Sequence, residues 1–137
     1  RVCLDLGLSD VVEVVETQGA YRISDLDILF YAPMRNNSFS SLLMAARLNA
    51  AVVATDLPGL DEFIDDTKTG FLVPVNEVKP AAELILRLAD NESLRKGMAG
   101  LYSKNANERF APDRLASLYQ EALFSGRVEK KAAHRAA

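Results

Sequence analysis

The sequence is poor in the side chains that build most enzyme centres. Its 137 residues include one cysteine, one histidine and no tryptophan. The single Cys3 excludes an internal disulfide framework and a multi-cysteine metal site. The single His134 lies near the end of the chain, which argues against a histidine-centred catalytic site. The longest apolar runs, residues 28–33 and 50–54, are too short to cross a bilayer.

The composition that remains is that of one ordinary globular domain. Hydrophobic residues make up 49% and charged residues 26% of the chain. Residues 126–137 carry four basic and one acidic side chain, which leaves twelve basic and eighteen acidic side chains in residues 1–125. We therefore expect a folded acidic domain over residues 1–125, which does not bind nucleic acid, and a flexible basic tail over residues 126–137. The tail either contacts an anionic membrane surface or is a solvated terminus.

Strands are predicted where short, nearly all-apolar runs are bounded by turn residues. Four runs have this length and character: residues 11–15, residues 27–31, Ala51–Thr55 and Phe71–Val73. Because apolar residues do not alternate with polar ones, both faces of these strands should be covered, as in a parallel sheet.

Helices are predicted between and after these strands. They cover residues 41–48, 60–64, 78–88, 94–102 and 115–122. Ser40 is the expected N-cap of the first helix and Asn91 that of the fourth. The alternation of strands and helices predicts an α/β fold, a Rossmann-like parallel sheet with flanking helices.

Two polar segments follow predicted strands, where ligands bind in open α/β sheets. The first runs over residues 33–41, and its candidate binding residues are Asn36, Asn37, Ser38, Phe39, Ser40 and Ser41. Its amide and hydroxyl groups suit a sugar or nucleotide, and a helix start favours an anion. The second contains Thr55, Asp56 and Gly59. Each segment has a plainer interpretation, since the first could only cap its own helix and the second could only be a turn.

The order of several motifs resembles a known family. They are Leu-Leu-Met-Ala-Ala at 42–46, Ala-Val-Val-Ala-Thr-Asp at 51–56, Pro-Gly-Leu-Asp-Glu-Phe-Ile at 58–64, and Thr-Gly-Phe-Leu-Val at 69–73. Over residues 5–124 the chain resembles the C-terminal, donor-binding domain of retaining GT-B glycosyltransferases (glycosyl transferases group 1, family four). The resemblance implies transfer of a sugar from a nucleotide-sugar co-substrate to an acceptor, with no other cofactor and no metal required.

The sequence departs from the family at a pair of glutamates that hold the donor. By the family's spacing, the second glutamate falls at Met44 and the first at Asn36 or Asn37. In the family these acids hold the donor sugar and the ribose. The resemblance therefore implies an altered donor site in which Met44 lies near the ribose.

The resemblance also implies that further protein segments complete the donor and acceptor sites. In the family, two further strands with diphosphate-binding Arg and Lys, and a separate acceptor-binding domain, precede the part matched here. We therefore expect a domain that is incomplete at its N-terminal side, inactive alone, and partnered by an N-terminal domain of the same protein. A cytoplasmic location, with peripheral contact at the inner membrane face through the tail, is expected. A degenerate, non-catalytic partner or scaffold module and a generic nucleotide-binding domain are the alternatives.

Overall fold

The computed structural model describes residues 7–8, 10–13, 25–33 and 39–124. Three strands and four α-helices lie in this part of the chain, with one short 3-10 helix at Leu60–Glu62. In chain order they are β1 (Ile28–Tyr31), α1 (Ser40–Leu48), β2 (Ala51–Thr55), β3 (Phe71–Val73), α2 (Val78–Asp90), α3 (Glu92–Arg109) and α4 (Pro112–Phe124). The predicted α/β class and the parallel sheet with flanking helices are confirmed.

The sheet is parallel, with strand order β1-β2-β3. Ile28 pairs with Ala51, and Val53 pairs with Phe71. Every residue of the central strand β2 is buried, which explains why that strand is apolar at nearly every position. All three strands end at the same edge of the sheet, here called the carboxyl edge; the opposite edge is the amino edge.

Two apolar layers cover the two faces of the sheet. On one face Val52 and Ala54 belong to a buried cluster with Leu42 of α1 and Tyr102 of α3. On the other face Val53 belongs to a cluster with residues of β3, α2 and α3. Burying side chains of this size contributes about 1.5–3 kcal/mol each, so both helix layers hold the central strand in place.

Of the two helix N-caps predicted from the sequence, the structure confirms one and contradicts the other. The predicted Asn91 cap is confirmed, because its side chain accepts a hydrogen bond from the Leu94 amide at 2.9 Å. The predicted Ser40 cap is wrong: α1 begins at Ser40, and no side chain caps it. Its first turn is closed by the Phe39 carbonyl, which accepts from the Leu42 amide at 3.1 Å.

The predicted first strand is also wrong where it can be compared. Residues 11–13 form no strand. The amides of Val11 and Val12 instead donate to the Leu8 carbonyl at 3.1 and 2.9 Å, as in a turn. The rest of that run, the loop residues Asn36, Asn37 and Ser38, and the basic tail lie outside the described residues. None of the helices in the described part is long and apolar enough to span a membrane.

Candidate functional site

The carboxyl edge brings the ends of the three strands together around a cavity of about 290 Å³. Its walls are mainly apolar, with Thr55, Asn76 and Glu77 as its polar residues. The other lining residues are Phe30, Ala32, Pro33, Val73, Pro74, Val75, Val78, Ala81, Ala82 and Ile85. A mainly apolar cavity with a few polar groups is the usual form of a small-molecule site.

Thr55 lies at the carboxyl end of β2 and is buried, with 7% of its surface exposed. Its hydroxyl donates a hydrogen bond to the carbonyl oxygen of Pro33 at 3.2 Å. Pro33 follows β1, so this bond joins the chain segments that leave two neighbouring strands. The predicted site residue Thr55 therefore contacts the beginning of the other predicted segment.

Asp56 follows Thr55 and is exposed. Its backbone amide donates to the Val73 carbonyl at 2.7 Å, which fixes the chain as it leaves the sheet. In the part of the chain that the structure describes, its carboxylate has no hydrogen-bond or ion-pair partner. This side chain is therefore available to a ligand at the carboxyl edge.

Gly59 turns the chain from β2 into the 3-10 helix. Its φ is +91°, in the left-handed region that side chains disfavour. A Cβ at this position would meet nothing within 4 Å, so backbone conformation, and not space, accounts for glycine here. The turn predicted over residues 55–59 is therefore confirmed. Its role in binding remains a prediction.

The Phe39 ring packs into the protein and does not line the cavity. Its centroid lies 4.6 Å from that of Phe63, and Phe63 stacks in turn on Phe110 at 4.7 Å. Sequence reasoning did not predict this stack of three rings, because the three phenylalanines are far apart in the chain. No local pattern links them; they meet because the start of α1, the end of the 3-10 helix and the end of α3 lie side by side.

Ser40, Ser41 and Met44 lie along one side of α1, since positions three and four apart are neighbours on a helix. Ser40 is exposed, whereas Ser41 and Met44 are half-buried. The first turn of α1 has no side-chain cap, and the partial positive charge of a helix start favours an anion there. The start of α1 therefore combines a partial positive charge with two serine side chains.

No lysine or arginine is among the residues that line the cavity. Burial raises the pKa of the Tyr102 phenol above its usual 10.0, and its hydroxyl donates to the Leu42 carbonyl at 3.1 Å. Tyr102 thus stays neutral and holds α1 to α3. Within the described residues, no group of three His, Cys, Asp or Glu side chains is placed to hold a metal ion.

The structure therefore brings together only part of the predicted set. Thr55 lines the cavity, while Asp56 and Gly59 lie in the turn beyond it. Met44 and the two serines lie on α1, and Phe39 supports the start of that helix. These positions form two segments at one edge of the sheet, connected through the Thr55–Pro33 hydrogen bond.

Comparison with protein families gives a match to the model described as "Glycosyl transferases group 1" over residues 3–106. A curated relative, the D-inositol 3-phosphate glycosyltransferase of Saccharomonospora viridis, is 29% identical over 136 aligned residues. The alignment covers 89% of this chain and 30% of that protein. The chain thus spans less than a third of the length of this relative.

Two solved structures share the fold. Sucrose-phosphate synthase from Thermosynechococcus elongatus superposes with a TM-score of 0.69 at 17% identity, covering 92% of this chain and 33% of that one. A variant of S. aureus TarM, in complex with fondaparinux, alpha-GlcNAc-glycerol and UDP, has a TM-score of 0.56 at 25% identity. The match covers 60% of this chain and 17% of TarM. The similarity to the synthase concerns the fold alone.

Proposed function

Because the chain belongs to the group 1 glycosyl transferases and has the Rossmann-like fold of their GT-B C-terminal portion, we propose that it supplies part of a donor-binding domain. The reaction is transfer of a sugar from a nucleotide-sugar to an acceptor. The observation that carries this proposal is the meeting of two polar segments at the carboxyl edge, joined by the Thr55–Pro33 hydrogen bond. Ligands of open α/β sheets bind at this edge.

The segments have distinct roles in the proposed site. Asn36, Asn37 and Ser38 hydrogen-bond hydroxyl groups of the donor sugar. The start of α1 at Ser40 and Ser41 faces a phosphate, because a helix N-terminus attracts negative charge. These assignments follow from the residue types and from the family resemblance.

The remaining proposed contacts lie one helical turn further along α1 and at the end of β2. Met44 lies near the ribose, at the place of the family's second glutamate. The turn from Thr55 through Asp56 to Gly59 lines the other side of the donor. Since methionine cannot accept hydrogen bonds from ribose hydroxyls as a carboxylate does, nucleotide affinity should be weaker by about 1.5–3 kcal/mol than in a relative that has the glutamate.

The chemistry proposed for these residues is binding and orientation. None of them is proposed as a proton-transfer group, and holding the donor in a fixed geometry removes much of the entropic barrier to transfer. Cations for the donor diphosphate must come from outside the described cavity lining, since charge on a leaving diphosphate needs them. Arg35, next to the sugar-binding segment, is one proposed source.

The TarM structure contains UDP, so UDP is the first nucleotide to test here. We would titrate the complete gene product with UDP and with UDP-, GDP- and ADP-sugars by calorimetry, and assay donor hydrolysis and transfer in parallel. UMP, which lacks the second phosphate, serves as the control ligand. Saturable binding of one donor, tighter than that of UMP and accompanied by sugar release, supports the proposal.

Two other outcomes contradict the enzyme function in different ways. Binding without hydrolysis or transfer would indicate a non-catalytic partner module, which the replacement of the second glutamate by Met44 would then explain. No binding of any of these nucleotides at millimolar concentration would remove the donor-binding function altogether.

A further inference from the structure

We propose that the exposed apolar side of α4 binds α4 of a second copy of this chain, with the two helices antiparallel. The complete gene product then exists in equilibrium between monomer and homodimer. The residues that line the carboxyl-edge cavity all precede α4 in the chain. The inference therefore concerns a different surface from the proposed donor site, and it does not depend on nucleotide binding.

α4 differs from the other three helices in its burial. The helices α1, α2 and α3 each bury side chains in the core, with Leu42, Leu88 and Tyr102 among them. In the described structure, all thirteen residues of α4 are exposed. Helices of this length are marginal in water and owe most of their stability to the packing of an apolar face. A surface that covers α4 would therefore stabilise it.

The apolar side chains of α4 lie along one side of the helix, here called the α4 stripe. The stripe consists of Leu115, Leu118, Tyr119, Ala122 and Leu123, which recur at separations of three and four residues. Leu118 is 52% exposed, Tyr119 67% and Leu123 75%. Contiguous apolar surface of this kind marks an interaction site. The spacing of Leu115, Leu118 and Ala122 is that of the seam between two paired helices.

Two opposite charges lie along one border of the α4 stripe. Arg114 comes directly before Leu115, and Glu121 comes two helical turns later, directly before Ala122. Side chains that flank the seam of paired helices set the choice of partner and the orientation. Nη1 of Arg114 donates to the Glu108 carbonyl at 3.2 Å, and the guanidinium has further N–H donors for a carboxylate.

These charges make α4 complementary to a second copy that runs in the opposite direction. A two-fold axis through the middle of the helix places Leu115 of one copy against Leu118 of the other. It also places Arg114 of one copy beside Glu121 of the other, and the symmetry repeats both contacts. In a parallel pair with matched ends, the two arginines would lie at the same level and the charge pairs would be lost. Charge complementarity therefore selects the antiparallel arrangement.

The size of α4 limits the strength of this interface. A helix of thirteen residues is about 20 Å long, and interfaces at the low end of the usual size range are weak or transient. We therefore expect a dissociation constant in the micromolar range. Sedimentation velocity of the complete gene product, from about 1 to about 100 μM, should show an average mass that rises with concentration.

The first test is Leu118→Glu, which places a charge in the middle of the α4 stripe. The variant should stay monomeric at every concentration and keep the wild-type melting temperature measured at low, monomeric concentration. Leu101→Glu is the matched control, because Leu101 is also a leucine on a helix and is 52% exposed, as Leu118 is. This variant should dimerise as the wild type does.

Three results of the first test would overturn the proposal. The first is a wild-type protein that is monomeric throughout the concentration range. The second is equal dimerisation of wild type and Leu118→Glu, or an equal loss of dimer in both glutamate variants. The third is a lower melting temperature of Leu118→Glu at low concentration with no change in mass, which would mean that another segment of the same polypeptide covers the α4 stripe.

The second test exchanges the charges and examines the antiparallel arrangement directly. Arg114→Glu and Glu121→Arg should each weaken self-association about tenfold, because each turns two attractive pairs into two repulsive ones. Both changes suit the dipole of α4, since they add an acid to its first turn and a base to its last, so neither should unfold the helix.

An equimolar mixture of Arg114→Glu and Glu121→Arg should associate at least as tightly as the wild type, because every charge pair in the mixed dimer is opposite in sign. The double variant Arg114→Glu/Glu121→Arg should also regain the wild-type dissociation constant. A mixture that associates no more tightly than either single variant alone would overturn the proposed pairing of α4 with a second copy.

Discussion

The two edges of the sheet use their polar groups in opposite ways. At the amino edge they satisfy one another: the Asp65 amide donates to the Thr69 hydroxyl at 2.8 Å, and the Leu72 amide donates to the Asp66 carboxylate at 2.9 Å. At the carboxyl edge, the side chains of Asp56, Asn76 and Glu77 have no such partner within the described residues. These amino-edge groups are therefore already bonded within the chain, whereas the three carboxyl-edge side chains can hydrogen-bond a ligand.

Cavity size does not distinguish the two edges. A cavity at the amino edge also measures about 290 Å³, and it is lined by Asp27, Asn49 and Arg95 among others. Its arginine is already engaged, because Nη1 donates to the Leu88 carbonyl at 3.0 Å and Nε lies 3.4 Å from the Asp27 carboxylate. Arg95 thus caps the end of α2, which is a structural role. The availability of polar groups is therefore a better guide to function than cavity size.

The largest effect that we expect belongs to the amino edge and concerns stability alone. A Cβ at Gly70 would lie 2.8 Å from the Val52 carbonyl oxygen and 3.0 Å from Cγ2 of Ile64. Gly70→Ala should therefore lower the free energy of unfolding by about 3 kcal/mol, as overpacking does in rigid cores. Urea denaturation measures this loss.

Gly97→Ala is the control for Gly70→Ala. Gly97 lies in α3, and a Cβ there would meet nothing within 4 Å. This change should stabilise the protein by up to about 1 kcal/mol, because alanine favours helix. Equal stability of Gly70→Ala and wild type would contradict the close packing at the amino edge.

The next effect belongs to the carboxyl edge and concerns affinity. Met44→Glu should tighten binding of UDP by about tenfold or more, since a charge-assisted hydrogen bond to ribose contributes about 1.5–3 kcal/mol. Met44 is half-buried, so a polar side chain of similar length can reach solvent or ligand. Calorimetric titration measures the dissociation constant.

Met44→Gln separates charge from shape in the same experiment. Glutamine has nearly the length of glutamate and no charge, and it should recover only part of the gain. If glutamate and glutamine have equal effects, or neither has any, the ribose does not lie near position 44.

Tyr102→Phe tests the support that the core gives to the carboxyl edge. It removes the hydrogen bond to Leu42 of α1 and should lower the free energy of unfolding by about 1 kcal/mol at neutral pH. The measurement is urea denaturation at pH 7. An unchanged unfolding midpoint would mean that this bond does not hold α1 in place.

The same variant has a predictable pH dependence. Burial raises the pKa of Tyr102 in the folded state above its usual 10.0, so the unfolded chain releases this proton first as the pH rises. Stability from this group is complete below pH 10 and decreases as the pH rises above it. Thermal unfolding of Tyr102→Phe should therefore lose stability less steeply between pH 10 and 11 than that of wild type.

The smallest effect is expected for a surface ion pair at the amino edge. Lys68 Nζ lies 3.1 Å from the Asp65 carboxylate, with side-chain exposures of 71% and 54%. Exposed pairs contribute about 0–1 kcal/mol, so Lys68→Ala should change the unfolding free energy by less than about 0.5 kcal/mol and leave the UDP dissociation constant unchanged. A weaker affinity for UDP in this variant would move the binding site toward the amino edge.

Two strands of the sheet could be predicted from sequence because they carry a strong local signal. Residues Ala51–Thr55 and Phe71–Val73 are apolar runs bounded by turn residues, and the structure has strands at those positions. The run at 11–15 has the same β-branched character, yet residues 11–13 form no strand. A β-strand forms only where another strand pairs with it, and local composition does not predict whether such a strand lies beside it.

The candidate site was harder to predict, since its supports come from distant parts of the chain. Loop chemistry alone identified Thr55 and Gly59, because a threonine at a strand end and a glycine in a turn are local signals. The stack of Phe39, Phe63 and Phe110 joins residues separated by 24 and 47 positions. Such contacts depend on how the helices pack. Apolar periodicity predicts that one face of a helix is buried, but it does not predict which residues meet there.

Hydrogen exchange of the complete gene product with and without saturating UDP tests the central claim most directly. We expect UDP to slow amide exchange in residues 33–41 and 55–60 at the carboxyl edge. Residues 65–70 at the amino edge should show no change. Protection confined to the amino edge, or no protection anywhere at millimolar UDP and at millimolar GDP and ADP, would contradict the claim that the carboxyl edge binds a nucleotide-sugar.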